Sequence, residues 1–325
     1  MYPISVKLIL KFFAKAPGKI IITGEHFVVH GSLALAAAID KGALVQAEAF
    51  EGIEILSKTL GFYSSKKGQV PLSLKPTLEA IKATLEFIGE KKGVRVMIDS
   101  DLPVSSGLGS SSAVAVATVA ATASAFDHKL SPEEMVNLAM VSERITHGRP
   151  SGIDVNVAVY GEVILFKMEE KPRQIKLDKD VEFIVCHSGI EHRTSKMVSK
   201  FSEMKKSYPN LFASLVASSN YFTEKAAFAL MNKDLTTLGA IMNFFHSVLS
   251  NLGMSTRELD QLIEKALESG CIGAKLTGAG GGGCIIALPK SGEARVVAES
   301  LKRKGIDASI VKLPLGGVKV WQEKS

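Results

Sequence analysis

The chain contains little cysteine, the residue that forms disulfide bonds in secreted proteins and binds many structural metals. It has three cysteines in 325 residues. They show neither metal-ligand spacing nor an even disulfide framework, so we expect buried free thiols. The three are Cys186, Cys271 and Cys284.

Long apolar runs are also scarce. The most apolar segment is interrupted by a Gly/Ser loop and falls short of the roughly 20 residues that a membrane-spanning helix needs. Residues 4–13 contain Lys7 and Lys11 and lack a small-residue cleavage site, so they predict a strand rather than a signal peptide. These features favour a cytoplasmic protein with no membrane partner.

Basic residues are not concentrated anywhere along the chain. The net charge is +6, aromatic residues make up 6%, and basic clusters are as short as Lys302–Lys304. Nucleic-acid-binding proteins usually gather their basic residues on one surface. We therefore expect no nucleic acid partner and interpret the charge as a mild preference for small anions.

Two familiar nucleotide-binding motifs are excluded. The P-loop pattern GxxxxGK[S/T] does not occur in the sequence. Gly278–Gly283 fits GxGxxG, but Cys284–Leu288 after it predicts a strand, whereas the dinucleotide-binding motif continues into a helix. At this stage a structural turn and a functional loop explain these glycines equally well.

The segment Pro103–Val114 is the most informative one. This Gly/Ser loop follows an apolar strand, Val94–Ile98, and runs into an apolar helix, Ala113–Phe126. The unpaired N–H groups of a helix N-terminus bind anions, and residues 102–126 contain no carboxylate that would repel phosphate. The pattern predicts a triphosphate site, with a plain serine-capped turn as the alternative.

Charged residues flank an apolar strand near the start of the chain. Lys19 precedes the apolar residues 20–22, and Glu25 and His26 follow them, so their side chains could face one cleft. Taken singly, a solvated strand-end lysine and a satisfied histidine are the commoner interpretation.

Two further carboxylates lie in Glu143–Asp154. Magnesium bound with a nucleotide needs one or two protein oxygens, and an acceptor hydroxyl needs a carboxylate to orient or deprotonate it. Glu143 and Asp154 provide one candidate for each role. The alternative is that Glu143 pairs with Arg144 or Arg149 and that Asp154 caps a turn.

The element pattern predicts an α+β protein with antiparallel strands and helices on one face. Strands dominate the first half, where Val155–Phe166 predicts two strands around Gly161, and Ser131 caps a helix that reaches about His147. Helical spacing dominates after residue 180. We place a domain boundary there, giving domains 1–180 and 181–325.

In order and spacing, these motifs resemble the GHMP kinases, from about Lys15 to Leu288. The resemblance implies a two-domain GHMP kinase fold, with an N-terminal α+β domain, a C-terminal ferredoxin-like α/β plait and ATP between them. The motifs in Ala16–Gly31 and His147–Asp154 most resemble the members of the family that phosphorylate mevalonate. ATP and mevalonate are then the expected substrates, with Mg²⁺ as cofactor.

The resemblance also implies residue roles. Asp154 and Lys19 match the catalytic pair beside the acceptor hydroxyl, and Ser111 and Glu143 match the Mg²⁺ ligands. Substrate contacts are implied for Glu25, His26 and Arg193, and ATP contacts for Ser106, Gly107, Leu108, Gly109, Ser110, Ser111, Thr194, Gly278, Ala279, Gly280 and Gly281. Whether Asp154 is a true base or positions the hydroxyl stays open, as do the oligomeric state, a homodimer included, and the nucleotide preference.

Departures from the pattern keep alternatives open. His30 stands where mevalonate kinases commonly have tyrosine, and Val157–Gly161 is similar to phosphomevalonate kinases. Phosphomevalonate or another small-molecule acceptor is therefore the second hypothesis. A ligand sensor without turnover is the third, and the intact Lys19 and Asp154 argue against it.

Overall fold

Two β-sheets and the helices packed on them form the protein. The computed structural model describes residues 10–65, 68–103, 106–178, 180–190, 201, 203–313 and 316–324. The two sheets contain eight and four strands.

The first sheet is built mainly from the first half of the chain. Its strands are β1 (Leu10–Thr23), β2 (Ala34–Phe50), β3 (Glu54–Ser57), β4 (Gly61–Ser64), β5 (Gly93–Ser100), β6 (Val163–Phe166), β7 (Arg173–Ile175) and β12 (Lys319–Lys324). The order is β12-β1-β2-β5-β3-β4, and β6 pairs with both β2 and β7. Every pairing is antiparallel except that of β3 with β5.

Four helices accompany this sheet: α1 (Lys75–Phe87), α2 (Ser110–Ser124), α3 (Pro132–His147) and α4 (Ile153–Tyr160). Helix α2 is buried along most of its length, because its alanines and valines carry no charge and let neighbouring elements approach closely. It packs against β1, β2, α1 and α3. The central helix therefore holds its N-terminus in a fixed place. The capping box predicted at Ser131 is confirmed, with reciprocal bonds to Glu134.

The second sheet has the order β11-β8-β10-β9, and all its pairings are antiparallel. Its strands are β8 (Val181–His187), β9 (Cys271–Leu276), β10 (Cys284–Pro289) and β11 (Ala308–Leu313). Helices α5 (Pro209–Met231), α6 (Leu235–Asn251) and α7 (Arg257–Glu268) connect β8 to β9, and α8 (Ala294–Arg303) connects β10 to β11. This is the strand order of a ferredoxin-like plait, as expected. All three cysteines are buried free thiols in this sheet, and burial raises their pKa values to about 12.

The strand predicted at the start of Val155–Phe166 is wrong. Residues 153–160 form helix α4, and only Val163–Phe166 is a strand. Because α4 is buried on nearly all sides, its sequence is a continuous apolar run without helical periodicity, and such a run does not distinguish a helix from a buried strand. Asp154 consequently lies in the first turn of a helix.

Other differences concern element boundaries. Of the strand predicted at residues 4–13, residues 10–13 begin β1, which continues to Thr23, and residues 4–9 lie outside the described residues. Within the described chain, no helix combines the length and apolar character of a membrane span.

Candidate active site

The N-terminus of α2 is open for an anion. Gly107 and Gly109 adopt positive φ angles of 79° and 76°, which turn the loop into the helix without a β-carbon in the way. No side chain in the described part of the chain caps this end, and its first turn carries no acidic residue. The first-turn N–H groups and the helix dipole therefore favour a phosphate here.

Backbone contacts on both sides fix the loop. The Leu108 carbonyl accepts a hydrogen bond from the Lys19 N–H at 2.8 Å, and the Ser106 carbonyl accepts one from the Cys284 N–H at 3.1 Å. The Leu108 side chain is buried. The loop Ser106–Gly109, called the phosphate loop below, is thus tied to β1 of the first sheet and to β10 of the second.

Ser111, in the first turn of α2, contacts Glu143 near the end of α3. The Ser111 hydroxyl donates a hydrogen bond to Glu143 Oε1 at 2.9 Å. The Glu143 carboxyl is 4% exposed, with His147 Nε2 at 3.8 Å from its other oxygen. Burial, reinforced by the like charge of Asp154, raises the pKa of Glu143 above its ordinary value.

These groups suit a hard divalent cation. A hydroxyl and a buried carboxylate supply the oxygen ligands that Mg²⁺ prefers, and Asp154 adds negative charge close by. Burial is the main cause of the raised pKa of Glu143, and a bound cation would favour its ionised form. No cluster of three or more His, Cys, Asp or Glu side chains able to hold a metal occurs in the described ranges. Mg²⁺ that shares its coordination with a nucleotide needs only one or two carboxylates.

Lys19 and Asp154 form an ion pair beside this site. Lys19 Nζ lies 3.1 Å from Asp154 Oδ1, and the two side chains are 4% and 29% exposed. Lys19 is fixed within β1, and Asp154 is fixed in the first turn of α4. A β-carbon at Gly109 would lie 2.9 Å from Lys19 Cγ, so the glycine makes room for the lysine under the phosphate loop.

The third glycine segment, Gly278–Gly283, packs against the connection between α6 and α7 and leads directly into Cys284, whose N–H bonds to the Ser106 carbonyl. All five of its glycines have positive φ angles. The Gly281 N–H donates to the Met254 carbonyl at 3.0 Å, and a β-carbon at Gly280 would lie 2.0 Å from that oxygen. These close backbone approaches explain the glycines as a packing requirement.

Glu25 and His26 lie between the two sheets. Glu25 is buried and contacts Lys275 of β9, while His26 Nε2 donates to the Ala279 carbonyl at 2.9 Å. His26 has a positive φ of 63° and stacks on Phe201. The implied substrate residue Glu25 thus faces a lysine of the second sheet.

Lys275 is the site residue that sequence reasoning left without a role. It is completely buried. The available signal was a lysine inside an otherwise apolar strand, a position that charged residues occupy only when paired. Arg193 and Thr194 lie outside the described residues.

Comparisons with known proteins cover both halves of the chain. Residues 75–162 match the model of the GHMP kinases N terminal domain, and residues 226–307 match that of the GHMP kinases C terminal. A mevalonate kinase from Aeropyrum pernix is 35% identical over 94% of this chain and 97% of that protein. One from Thermococcus sibiricus is 33% identical over 96% and 98%.

Solved structures give the same picture. The crystal structure of L. major mevalonate kinase in complex with R-mevalonate superposes with a TM-score of 0.79 at 28% identity, covering 93% of this chain and 96% of that one. A Lactococcus lactis galactokinase, at 22% identity and a TM-score of 0.78, shares the fold. The fold class expected from the sequence is confirmed.

Proposed function

Because the chain belongs to the mevalonate kinase family of GHMP kinases, we propose that it transfers the γ-phosphoryl group of ATP to the primary hydroxyl of mevalonate. The observation that carries this proposal is the Lys19–Asp154 contact at 3.1 Å beside the uncapped N-terminus of α2. A triphosphate bound at that helix end would have its γ-phosphoryl group near the Asp154 carboxylate and the Lys19 ammonium group, as transfer to a hydroxyl requires.

Asp154 is the group that receives the acceptor proton. Its carboxylate lies in the first turn of α4, where the helix dipole favours negative charge, and it is exposed enough to meet a substrate. When the hydroxyl oxygen attacks phosphorus, the O–H bond breaks and the proton passes to Asp154, while ADP leaves with the electrons of the broken P–O bond.

Lys19 stabilises the charge that develops during transfer. Its ammonium group is nearly buried, so its attraction for phosphate oxygens is screened less than it would be in water. The same group holds Asp154 in place. One lysine therefore orients the acceptor side and stabilises the phosphoryl side.

The α2 N-terminus binds the triphosphate through backbone N–H groups, and Ser111 and Glu143 would hold Mg²⁺ there. The ion would supply positive charge that offsets the negative charge of the phosphates. Ser106, Ser110 and Gly278–Gly281 complete the proposed nucleotide site, the last of these by supporting the loop.

The substrate side is assigned to His26 and its surroundings. His26 has a strained backbone with φ 63° and ψ −44°, which the Ala279 contact and the Phe201 ring maintain, as is common for residues at ligand sites. Arg193 and Thr194 belong to this proposal by resemblance alone. A cytoplasmic location and a homodimer stay predictions, to be checked by cell fractionation and by the mass in solution.

ADP release with mevalonate, galactose and homoserine as acceptors, each with Mg²⁺ and ATP, tests the function. We expect release with mevalonate that exceeds the other acceptors by at least about 100-fold in kcat/KM. Asp154→Asn protein prepared identically controls for contaminating kinases. Equal release without any acceptor, or a preference for galactose or homoserine, would reject the proposal.

A further inference from the structure

A row of alternating charges runs from the reaction centre into the interior between the two sheets. Asp154 contacts Lys19, and Glu25 contacts Lys275. Burial raises the pKa of the Glu25 carboxyl and lowers the pKa of the Lys275 ammonium group, the charge of each partner opposes that effect on the other, and the charge of Lys19 has a smaller influence on both pKa values. Asp154 is the one member of the row with substantial exposure, because the other three side chains are 0–4% exposed.

Lys19 therefore has two carboxylates within electrostatic reach. Asp154 is partly exposed on the proposed acceptor side of Lys19, whereas Glu25 is buried in the interior. A buried carboxylate without a cation is strongly destabilising, so an unpaired Glu25 would attract Lys19 inward. Movement of a catalytic group by about 1 Å is enough to slow catalysis about 100-fold.

Lys275 supplies the cation that Glu25 needs. Its Nζ contacts Glu25 Oε1 and donates to the Leu276 carbonyl at 2.6 Å. The other oxygen of Glu25 has no hydrogen-bond partner in the described part of the chain. The charge of this carboxylate is thus balanced mainly by one lysine from the second sheet.

The turn after β1, which carries Glu25, is fixed to the chain at the end of β9, which carries Lys275. The Ile21 N–H donates to Thr277 Oγ1 at 3.0 Å, and His26 bonds to Ala279. Both contacts join the end of β1 to the residues just after β9. Lys275 is consequently delivered to Glu25 by rigid elements rather than by a loop.

We propose that Lys275 is a positioning residue for phosphoryl transfer, which occupies Glu25 and thereby leaves Lys19 to Asp154 and the reacting phosphate. The proposal rests on the proposed kinase function of the site. It assigns the second sheet a part in catalysis that does not require contact with either substrate.

The test is a double-variant comparison of kcat with saturating ATP and mevalonate. Lys275→Met leaves Glu25 unpaired, and we expect kcat to fall about 10- to 100-fold while both KM values stay within about threefold. Glu25→Gln combined with Lys275→Met removes both charges. That double variant should have a kcat at least about fivefold higher than that of Lys275→Met, which a role in packing alone would not produce.

Arg95→Met is the matched control. Arg95 pairs with Glu48 at 2.8 Å within the first sheet, at the end of β5 away from the phosphate loop. Its loss should lower the melting temperature and leave kcat unchanged.

Each outcome decides the proposal. Unchanged kcat in Lys275→Met, or a folded double variant as slow as the single one, overturns it. If Lys275→Met does not fold by circular dichroism, the kcat of the double variant decides, and failure of both to fold makes the pair purely structural. The variant ratios are measured on whichever acceptor the wild type uses, so rejection of mevalonate as substrate is seen separately in the wild type.

Discussion

At the scale of single residues, the proposed site contains two carboxylates with different surroundings. Asp154 is partly exposed and contacts a lysine, whereas Glu143 is buried and contacts a serine hydroxyl. The first arrangement suits taking a proton from an acceptor hydroxyl, and the second suits binding a cation. Their substitution should therefore have different effects.

Asp154→Asn should lose turnover and keep nucleotide binding. The amide retains the size of the side chain but does not accept the acceptor proton, so we expect kcat to fall about 10²- to 10⁴-fold. Calorimetry should give an ATP affinity within about threefold of the wild type, because the substitution leaves the N–H groups of the α2 N-terminus unchanged. Asp99→Asn, whose pair with Lys58 is exposed, is the control. A loss of kcat below about tenfold would remove Asp154 from the proton-acceptor role.

Glu143→Gln should weaken the binding of Mg²⁺–ATP more than that of metal-free ATP. The substitution removes a negative charge from the proposed cation site without changing the N–H groups of the loop. Titration of both ligands measures this, and equal losses would contradict the assignment. The Ser111→Ala variant should show the same selectivity for the metal complex.

The Glu143→Gln variant should also differ from the wild type in how its melting temperature depends on pH. Because burial and Asp154 raise the pKa of Glu143 in the folded protein, the folded state binds its proton more tightly than the unfolded chain does. The metal-free protein then loses stability as the pH rises above the ordinary pKa of a glutamate side chain. Glu143→Gln should melt at a higher temperature than the wild type at pH 7.5 and at the same temperature near pH 4. A lower melting temperature at pH 7.5 would show that the carboxylate is stabilising.

At the scale of elements, sequence patterns predicted what depends on local chemistry. The Gly/Ser loop before an apolar helix and the capping box at Ser131 are local, and both are present. Helix α4 was missed because burial on all sides removes its periodicity. The Lys275–Glu25 pair could not be predicted from spacing, because it joins residues 250 positions apart.

The third glycine segment gives a prediction at this scale. Gly280→Ala places a β-carbon 2.0 Å from the Met254 carbonyl oxygen. We therefore expect the free energy of unfolding to fall by roughly 3 kcal/mol or more and the KM for ATP to rise. Gly292 has a similar φ of 80° with open space around it, so Gly292→Ala should lose only about 1 kcal/mol. Denaturant titration compares the two variants. Equal losses would show that backbone conformation, and not the close approach, explains the glycine.

At the scale of the whole molecule, the two sheets should unfold together. Backbone contacts tie the phosphate loop to β10, and the Glu25–Lys275 pair joins the interiors. The single tryptophan, Trp321, stacks on Phe13 in the first sheet, while the three buried thiols report on the second. The urea midpoints from tryptophan fluorescence and from thiol labelling should coincide, and well-separated midpoints would show independent domains.

The relative efficiency with mevalonate and phosphomevalonate tests the central claim most directly. Phosphomevalonate adds a dianionic group that needs further cations, yet Lys19 and Lys275, the two buried lysines at the site, each contact a carboxylate. We expect kcat/KM for mevalonate to exceed that for phosphomevalonate by about 100-fold or more, measured as ADP release under identical Mg²⁺ and ATP concentrations. A higher kcat/KM for phosphomevalonate would contradict the account.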